Sequence, residues 1–207
     1  ALVGKELREH AVALALLVPL LAFGLLLVTA AALAAQRSSS VLEAGLHFTV
    51  TFVPLAGMAL GHRLVVVEWH GRTQLFLEAL PIHRAEMVAV KYGLGLALLL
   101  AVSWGGVGWA ALLAARSEPI DARFLGIMGA RTGAFTWCVW SFLFGMAFTG
   151  RYRVPIYLGI GLGLLAISQL TELELGRFGP FELVSGETFA GERTTLPTAA
   201  LGTTVAV

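Results

Sequence analysis

Charged residues are scarce in this sequence. Of its 207 residues, 13% are Asp, Glu, Lys or Arg, whereas 57% are hydrophobic, and the mean hydropathy is +0.83. A water-soluble domain carries roughly 25% charged residues. Because so little charge cannot cover a globule with polar surface, the composition favours a lipid bilayer as the solvent. The net charge of +1 provides no basic field for nucleic acid, so we expect no nucleic-acid partner.

Cysteine and recognisable catalytic motifs are almost absent as well. Cys138 is the single cysteine and lies in an apolar run, so an internal disulfide is excluded and we expect a buried thiol. The sequence contains no Gly-Lys-Ser phosphate loop, no HExxH run and no nucleophile elbow. We therefore expect no catalytic site, and any ATP that this protein uses would be hydrolysed by another polypeptide.

The five histidines do not form a ligand pattern. His47 and His62 lie on one predicted helix near opposite ends, and the neighbouring predicted helices offer no facing histidine for a haem. His62, His70 and His83 fall in or near one loop, but no cysteine or carboxylate spacing there is typical of zinc. We expect no bound metal and no cofactor in this chain.

Long apolar runs dominate what the sequence does contain. A membrane-spanning helix needs about 20 apolar residues, and helices are required because lipid cannot satisfy open backbone groups. The sequence predicts an all-α, polytopic membrane protein with a single transmembrane domain over 1–207. The five complete predicted spans are 12–34, 47–67, 92–115, 130–149 and 154–170.

Both ends of the sequence carry expectations of their own. A sixth apolar run, 196–207, predicts the start of a sixth span that continues beyond Val207, and the alternative is a short apolar tail. Because the sequence starts at Ala1 rather than at methionine, we expect that a few leading residues are missing. No cleavable signal peptide is recognisable, since the first apolar run is long enough to span by itself.

The distribution of basic residues predicts the orientation in the membrane. One side would hold Lys5, Arg8, Arg63, Arg72, Arg84, Lys91, Arg151 and Arg153, and the other Arg37, Arg116, Arg123, Arg131, Arg177 and Arg193. Loops rich in Lys and Arg face the cytoplasm. We therefore predict a multi-pass protein of the cell (inner) membrane with a cytoplasmic N-terminus.

The predicted outer side contains two segments of different character. Residues 36–45 predict a short serine-rich loop, whereas 171–195 mixes acidic residues with Gly, Pro and Phe and predicts short interfacial or re-entrant helices. Arg131 falls at the outer start of the fourth predicted span, where we expect it to reach the membrane boundary and fix topology; the alternative is a role in substrate binding. The isolated polar residues of the spans either line a path or satisfy carbonyls between helices; they are Ser103, Thr136, Ser141, Ser168 and Gln169.

The predicted cytoplasmic loop 68–91 is the most specific stretch in the chain. Residues from Arg72 to Leu80 favour a short amphipathic helix, and Pro81 stops it. A new helix is predicted to begin near Arg84 with Glu86 in its first turn, where the helix dipole favours a negative charge. The result is an apolar knob at the cytoplasmic face. Such a knob suits either docking into a soluble partner or lying on lipid headgroups.

This stretch resembles the coupling-helix region of type-2 ABC exporter permeases, the membrane subunits of ATP-binding-cassette transporters. The matching residues are Glu68, Gly71, Thr73, Leu75, Leu77, Leu80, Pro81, Ile82, Arg84, Glu86 and Lys91. The resemblance assigns these residues, together with the neighbouring Phe76, to ATPase docking. The sequence departs from the family pattern at Arg72, which separates Gly71 from Thr73, and at His83, where serine is common. Residues 1–11, with Lys5, Glu6 and Arg8, resemble the family's amphipathic elbow helix.

The resemblance implies both a function and partners. It implies a permease subunit with six spans that pairs with a second permease, identical or different, and rests on two ABC ATPase subunits that bind ATP and Mg. The coupling helix would pass motion of the ATPases to the second and third spans. Two other classes stay open from the residues alone: a non-transporting membrane anchor, and an intramembrane redox or enzyme subunit.

Overall fold

All regular secondary structure in the described part of the protein is helical. A computed structural model describes residues 11–34, 38–66, 84–116, 120, 122–149, 156, 159 and 179–184. The elements in these ranges are α1 (Ala11–Ala34), α2 (Ser38–Gly61), a π-helical turn that continues α2 (His62–Val66), α3 (Arg84–Ala114), α4 (Ala122–Ala147) and a 3₁₀ helix (Gly179–Val184). The all-α class expected from the sequence is confirmed for this part of the chain.

Helices α2 and α3 form the centre of the arrangement. They pack against each other, and both also contact α1 on one side and α4 on the other. The 3₁₀ helix packs on α4 and also touches α2. Through these contacts, α2 and α3 hold the described part of the bundle together.

Two clusters of buried apolar side chains hold the helices together, one towards each end. The loop-side cluster lies next to the ends of α2 and α4 and the start of α3; it consists of Ala56, Leu60, Leu64, Val65, Leu99, Trp140, Phe144 and Ala147. The far-side cluster lies towards the end of α1 and the start of α2 and includes Val41, Leu46, Phe48, Met128, Phe135 and Leu183. Each cluster joins at least three helices.

The ring of Phe48, which belongs to α2, lies between α1 and α3 in the far-side cluster. Its ring stacks on that of Phe52 with the centroids 4.7 Å apart. A Cβ atom added to Gly24 of α1 or to Gly106 of α3 would overlap the Phe48 ring. The absence of a side chain at both glycines therefore allows one aromatic ring of α2 to fill the space between α1 and α3.

The observed helix boundaries differ from those predicted at two places. Helix α2 begins at Ser38, inside the predicted loop 36–45, because Val41, Leu42 and Leu46 are buried against the neighbouring helices and their burial stabilises extra turns. Helix α4 begins at Ala122 rather than at 130. In contrast, α3 begins at Arg84 with Glu86 in its first turn, as the sequence predicts, and it continues without a break to Ala114.

Two of the described helical stretches are long and apolar enough to cross a membrane: Val41–Val65, with 25 residues, and Ala85–Ala114, with 30 residues. The apolar part Leu21–Ala34 of α1 is shorter. The predicted sixth span 196–207, residues 1–10 of the elbow segment, and the predicted span 154–170 apart from residues 156 and 159 lie outside the described residues. The total of six spans therefore stays a prediction.

Candidate functional site

Most of the predicted docking segment lies outside the described residues. This applies to Glu68, Gly71, Thr73, Leu75, Phe76, Leu77, Leu80, Pro81 and Ile82, and also to Lys5, Glu6 and Arg8 of the predicted elbow helix. The structure does describe the helices on both sides of the segment. The π-helical turn His62–Val66 precedes it, and α3 follows it.

The start of α3 carries the described residues of the predicted site. Arg84 is the first residue of the helix, and Glu86 lies in the first turn with an exposed side chain. A carboxylate there interacts favourably with the exposed backbone N–H groups of the helix start. Lys91, which lies about two turns further along, is half-buried. These residues therefore lie on one rigid element directly after the predicted knob.

Polar contacts tie the first turns of α3 to α4. The hydroxyl groups of Tyr92 and Ser141 are 2.7 Å apart, and the indole Nε1 of Trp140 donates a hydrogen bond to the backbone oxygen of Tyr92 at 2.9 Å. The rings of Tyr92 and Phe144 meet edge to face with their centroids 5.3 Å apart. Tyr92 therefore takes part in two polar contacts between α3 and α4.

Close packing extends this link to α2. Gly95 faces the indole of Trp140 so closely that a Cβ atom there would overlap the ring. On α2, a Cβ atom at Gly57 would lie 2.7 Å from the Cδ1 atom of Leu143. Small residues that allow such close approach are typical of helix interfaces in membranes. The end of α2, the start of α3 and the end of α4 are therefore packed as one unit beside the predicted docking segment.

Arg131 lies inside the bundle. It is 0% exposed, and its Nε donates a hydrogen bond to the backbone oxygen of Leu183 at 3.0 Å. Helix α4 starts at Ala122, so Arg131 lies about 13 Å along the helix axis rather than at the helix start where the sequence predicts it. Its role at the membrane boundary stays a prediction. Its partner lies 52 positions away in the sequence, so no local signal indicated this contact.

The 3₁₀ helix Gly179–Val184 lies within the segment 171–195, for which short helices are predicted. Leu183 and Val184 are buried in the far-side cluster. The rings of Phe181 and Phe135 meet edge to face at a centroid distance of 5.9 Å. The hydrogen bond from Arg131 and this apolar packing together fix the 3₁₀ helix against α4.

Several polar side chains of α4 satisfy carbonyls of their own helix. The hydroxyl of Thr136 donates to the carbonyl of Thr132 at 2.8 Å, and that of Thr132 donates to the carbonyl of Met128 at 2.9 Å. The hydroxyl of Ser141 likewise donates to the carbonyl of Trp137 at 2.8 Å. Thr136 and Ser141 therefore satisfy carbonyls within α4 rather than carbonyls between helices.

A groove between α1 and α2 was not predicted from the sequence. It has a volume of about 470 Å³, and its lining residues are Gly24, Leu27, Val28, Ala31, Glu43, Ala44, His47, Phe48, Thr51 and Phe52. The residues around Glu43 predict a loop, apart from the helix that carries His47, so the groove could not be predicted. A helix that starts at Ser38 places both residues one turn apart on α2.

Metal-binding chemistry finds no support in the part of the chain that the structure describes. Among these residues, no group of three or more His, Cys, Asp or Glu side chains lies close enough together to hold a metal ion. Cys138 is a buried free thiol on α4.

The chain was compared with protein-family models, with curated proteins and with solved structures, and no match was found in any of the three.

Proposed function

We propose that this chain is the membrane-embedded permease subunit of an ATP-binding-cassette exporter. It would couple ATP hydrolysis by a separate ATPase to the movement of a substrate across the membrane. One structural observation supports the proposal most strongly. Helix α3 begins at Arg84, directly after the segment that resembles a coupling helix, and runs unbroken through the centre of the bundle.

The length and packing of α3 suit the transmission of motion. Its 31 residues extend about 46 Å along the helix axis. Proline is absent from α3, so no proline kink divides the rod. A displacement of its first turn would therefore move the whole helix. Through Tyr92 and Gly95, it would also displace α4.

Helix α2, on the other side of the docking segment, has two places at which it can bend. Pro54 lies inside the helix and lacks the N–H that would bond to the carbonyl four residues earlier. The last turn, His62–Val66, is π-helical, a conformation that is frequent at functional sites. We infer that α3 moves as a rigid helix when the loop 68–91 moves, whereas α2 bends.

The proposed assembly follows from the resemblance and from the membrane character of the chain. Two copies of the permease, or this chain with a different permease, would form the path, and two ATPase subunits would bind the loop 68–91 from the cytoplasm. ATP and Mg would be held by the ATPases. The two membrane-length helices support a location in a membrane. The proposal of the cell membrane, six spans and a cytoplasmic N-terminus rests on the basic residues of the loops and on the resemblance.

Docking is tested by a pair of substitutions in the loop. We expect Leu80→Asp combined with Arg84→Ala to reduce co-purification of the ATPase, because the change places a charge on the apolar knob and removes a cation beside it. Leu80→Met keeps the apolar surface, and Arg116→Ala removes an exposed arginine at the opposite end of α3. Both controls should retain the ATPase. Full recovery of the ATPase with the double variant would contradict the docking role of this loop.

A further inference from the structure

The groove between α1 and α2 combines a polar edge with apolar walls. Glu43, His47 and Thr51 follow one another at intervals of four residues along α2, so they lie in one row, and all three line the groove. The opposite wall consists of Gly24, Leu27, Val28 and Ala31 of α1. Because this row of polar groups faces apolar side chains, a ligand of the groove would have one polar part and one apolar part.

The two ends of the groove differ in polarity. Three residues separate the end of α1 from the start of α2, so the groove has one end at Glu43 and a deep end where Gly24 lies against Phe48 and Phe52. The Glu43 end therefore carries the carboxylate, and the deep end carries the stacked rings of Phe48 and Phe52. A ligand that fits this polarity has a polar head at the Glu43 end and a compact apolar body.

The charge of the groove determines the sign of the ligand. Among the described residues that line it, Glu43 is the single carboxylate, and none is a lysine or an arginine. The Nδ1 atom of His47 is 2.8 Å from the backbone oxygen of Glu43, and if it donates to that oxygen, Nε2 is left as an acceptor. The polar edge therefore presents a negative charge and acceptors, which favours a cation.

The deep end of the groove has an aromatic floor. Phe48 is 4% exposed and is held between Gly24 and Gly106, so its ring cannot turn away without displacing α1 or α3. The volume of about 470 Å³ lies in the range of small-molecule sites.

We propose that this groove binds a compact amphiphilic organic cation, with Glu43 as its counter-ion and with Phe48, Phe52 and the α1 wall around its apolar body. The inference does not depend on the permease function, since binding is measured on the purified chain without an ATPase. If the permease proposal is also correct, the groove holds a transported substrate or a modulator of this chemical class.

The test compares two ions of the same shape and opposite charge. Tetraphenylphosphonium and tetraphenylborate are each equilibrated by dialysis with the purified protein in a neutral maltoside detergent. We expect saturable binding of the cation at one site per chain and no saturable binding of the anion. Equal uptake of both ions would show partition into an apolar crevice and would overturn the proposal.

Substitutions then assign the binding to the groove. Glu43→Gln should weaken the binding of tetraphenylphosphonium about tenfold or more, whereas Glu43→Asp, which keeps the charge, should preserve most of it. Ala31→Trp should block the groove, while Ala122→Trp, at the exposed first residue of α4, should not affect binding. Unchanged affinity in both Glu43→Gln and Ala31→Trp would overturn the proposal. The thermal unfolding midpoint of each variant identifies any that fails to fold.

A lipid headgroup could supply the same cationic chemistry, and a competition experiment separates the two sources. Phosphatidylethanolamine carries an ammonium group, whereas phosphatidylglycerol carries none. If the groove takes a free cation, neither lipid should displace protein-bound tetraphenylphosphonium once the uptake by protein-free micelles of the same lipid, which is larger for anionic phosphatidylglycerol, is subtracted. Selective displacement by phosphatidylethanolamine would assign the groove to a lipid headgroup and contradict the proposal.

Discussion

The guanidinium Nε of Arg131 donates a hydrogen bond to the backbone oxygen of Leu183 at 3.0 Å, and both side chains are fully buried. Burying a guanidinium is costly unless its surroundings compensate for the lost solvation. Here the arginine joins the middle of α4 to a 3₁₀ helix that is distant in the sequence. The contact therefore fixes part of the predicted outer segment on the bundle.

The first prediction concerns this contact. Arg131→Met removes the donor but keeps an extended side chain, so the carbonyl of Leu183 loses its partner, at a cost of about 1–3 kcal/mol in the free energy of unfolding. We also expect faster proteinase K cleavage within 179–184. Arg123→Met, on the exposed start of the same helix, is the control. Equal cleavage rates in the two variants would show that Arg131 does not hold the 3₁₀ helix.

Two glycines on α3 give a matched pair for the second prediction. Gly95 is in close contact with Trp140, whereas nothing lies within 4 Å of a Cβ atom placed on Gly93. We expect Gly95→Ala to lower the free energy of unfolding by about 1–3 kcal/mol through overpacking. Gly93→Ala should be neutral or raise it, since alanine favours helix by about 1 kcal/mol. The measurement is unfolding in mixed micelles with increasing dodecyl sulfate.

Equal effects of Gly95→Ala and Gly93→Ala would contradict the close packing of α3 on α4. A compensating substitution provides a further check. Trp140→Leu removes ring atoms that a Cβ atom at Gly95 would meet. In that background, Gly95→Ala should therefore cost less than it does in the native chain.

The third prediction concerns the hydroxyl pair of Tyr92 and Ser141. Tyr92→Phe removes one of the two groups, which are 2.7 Å apart. Interhelical hydrogen bonds in membrane proteins contribute about 0.6 kcal/mol on average. We expect a coupling energy of this size in a double-mutant cycle of Tyr92→Phe with Ser141→Ala. If the two effects were simply additive, the two hydroxyl groups would not interact.

The positions that sequence analysis predicted well are those with local signals. Pro81 ends one helical segment and Glu86 favours the first turn of the next, so the start of α3 at Arg84 could be predicted. The apolar runs likewise predicted the two membrane-length helices. In each case a short window of residues contains the physical cause.

The positions that sequence analysis missed depend on contacts between distant segments. Three consecutive serines suggested a loop before α2, but burial of Val41 and Leu46 extends the helix back to Ser38. The partner of Arg131 lies on a different element, so no neighbouring residue indicated that this charge is buried. The groove at Glu43 depended on both the correct start of α2 and its packing on α1.

The fourth prediction concerns orientation in the membrane. In a Cys138→Ala background, which removes the single cysteine, we introduce Ser39→Cys before the stretch Val41–Val65 and His70→Cys after it. We expect a membrane-impermeant maleimide to label position 39 in intact cells and position 70 only in permeabilised cells. The opposite pattern would reverse the predicted topology. Labelling of both positions from one side would show that the stretch does not cross the membrane.

As the proposed permease subunit, this chain would work with a separate ATPase. An affinity pull-down of the tagged protein from its native membranes in mild detergent, followed by mass spectrometry of the co-purified proteins, tests this directly. We expect a stoichiometric partner with a Gly-Lys-Ser or Gly-Lys-Thr phosphate loop, recovered with the Leu80→Met variant and lost with the Leu80→Asp, Arg84→Ala double variant. A folded preparation from native membranes that contains no such ATPase would contradict the permease function.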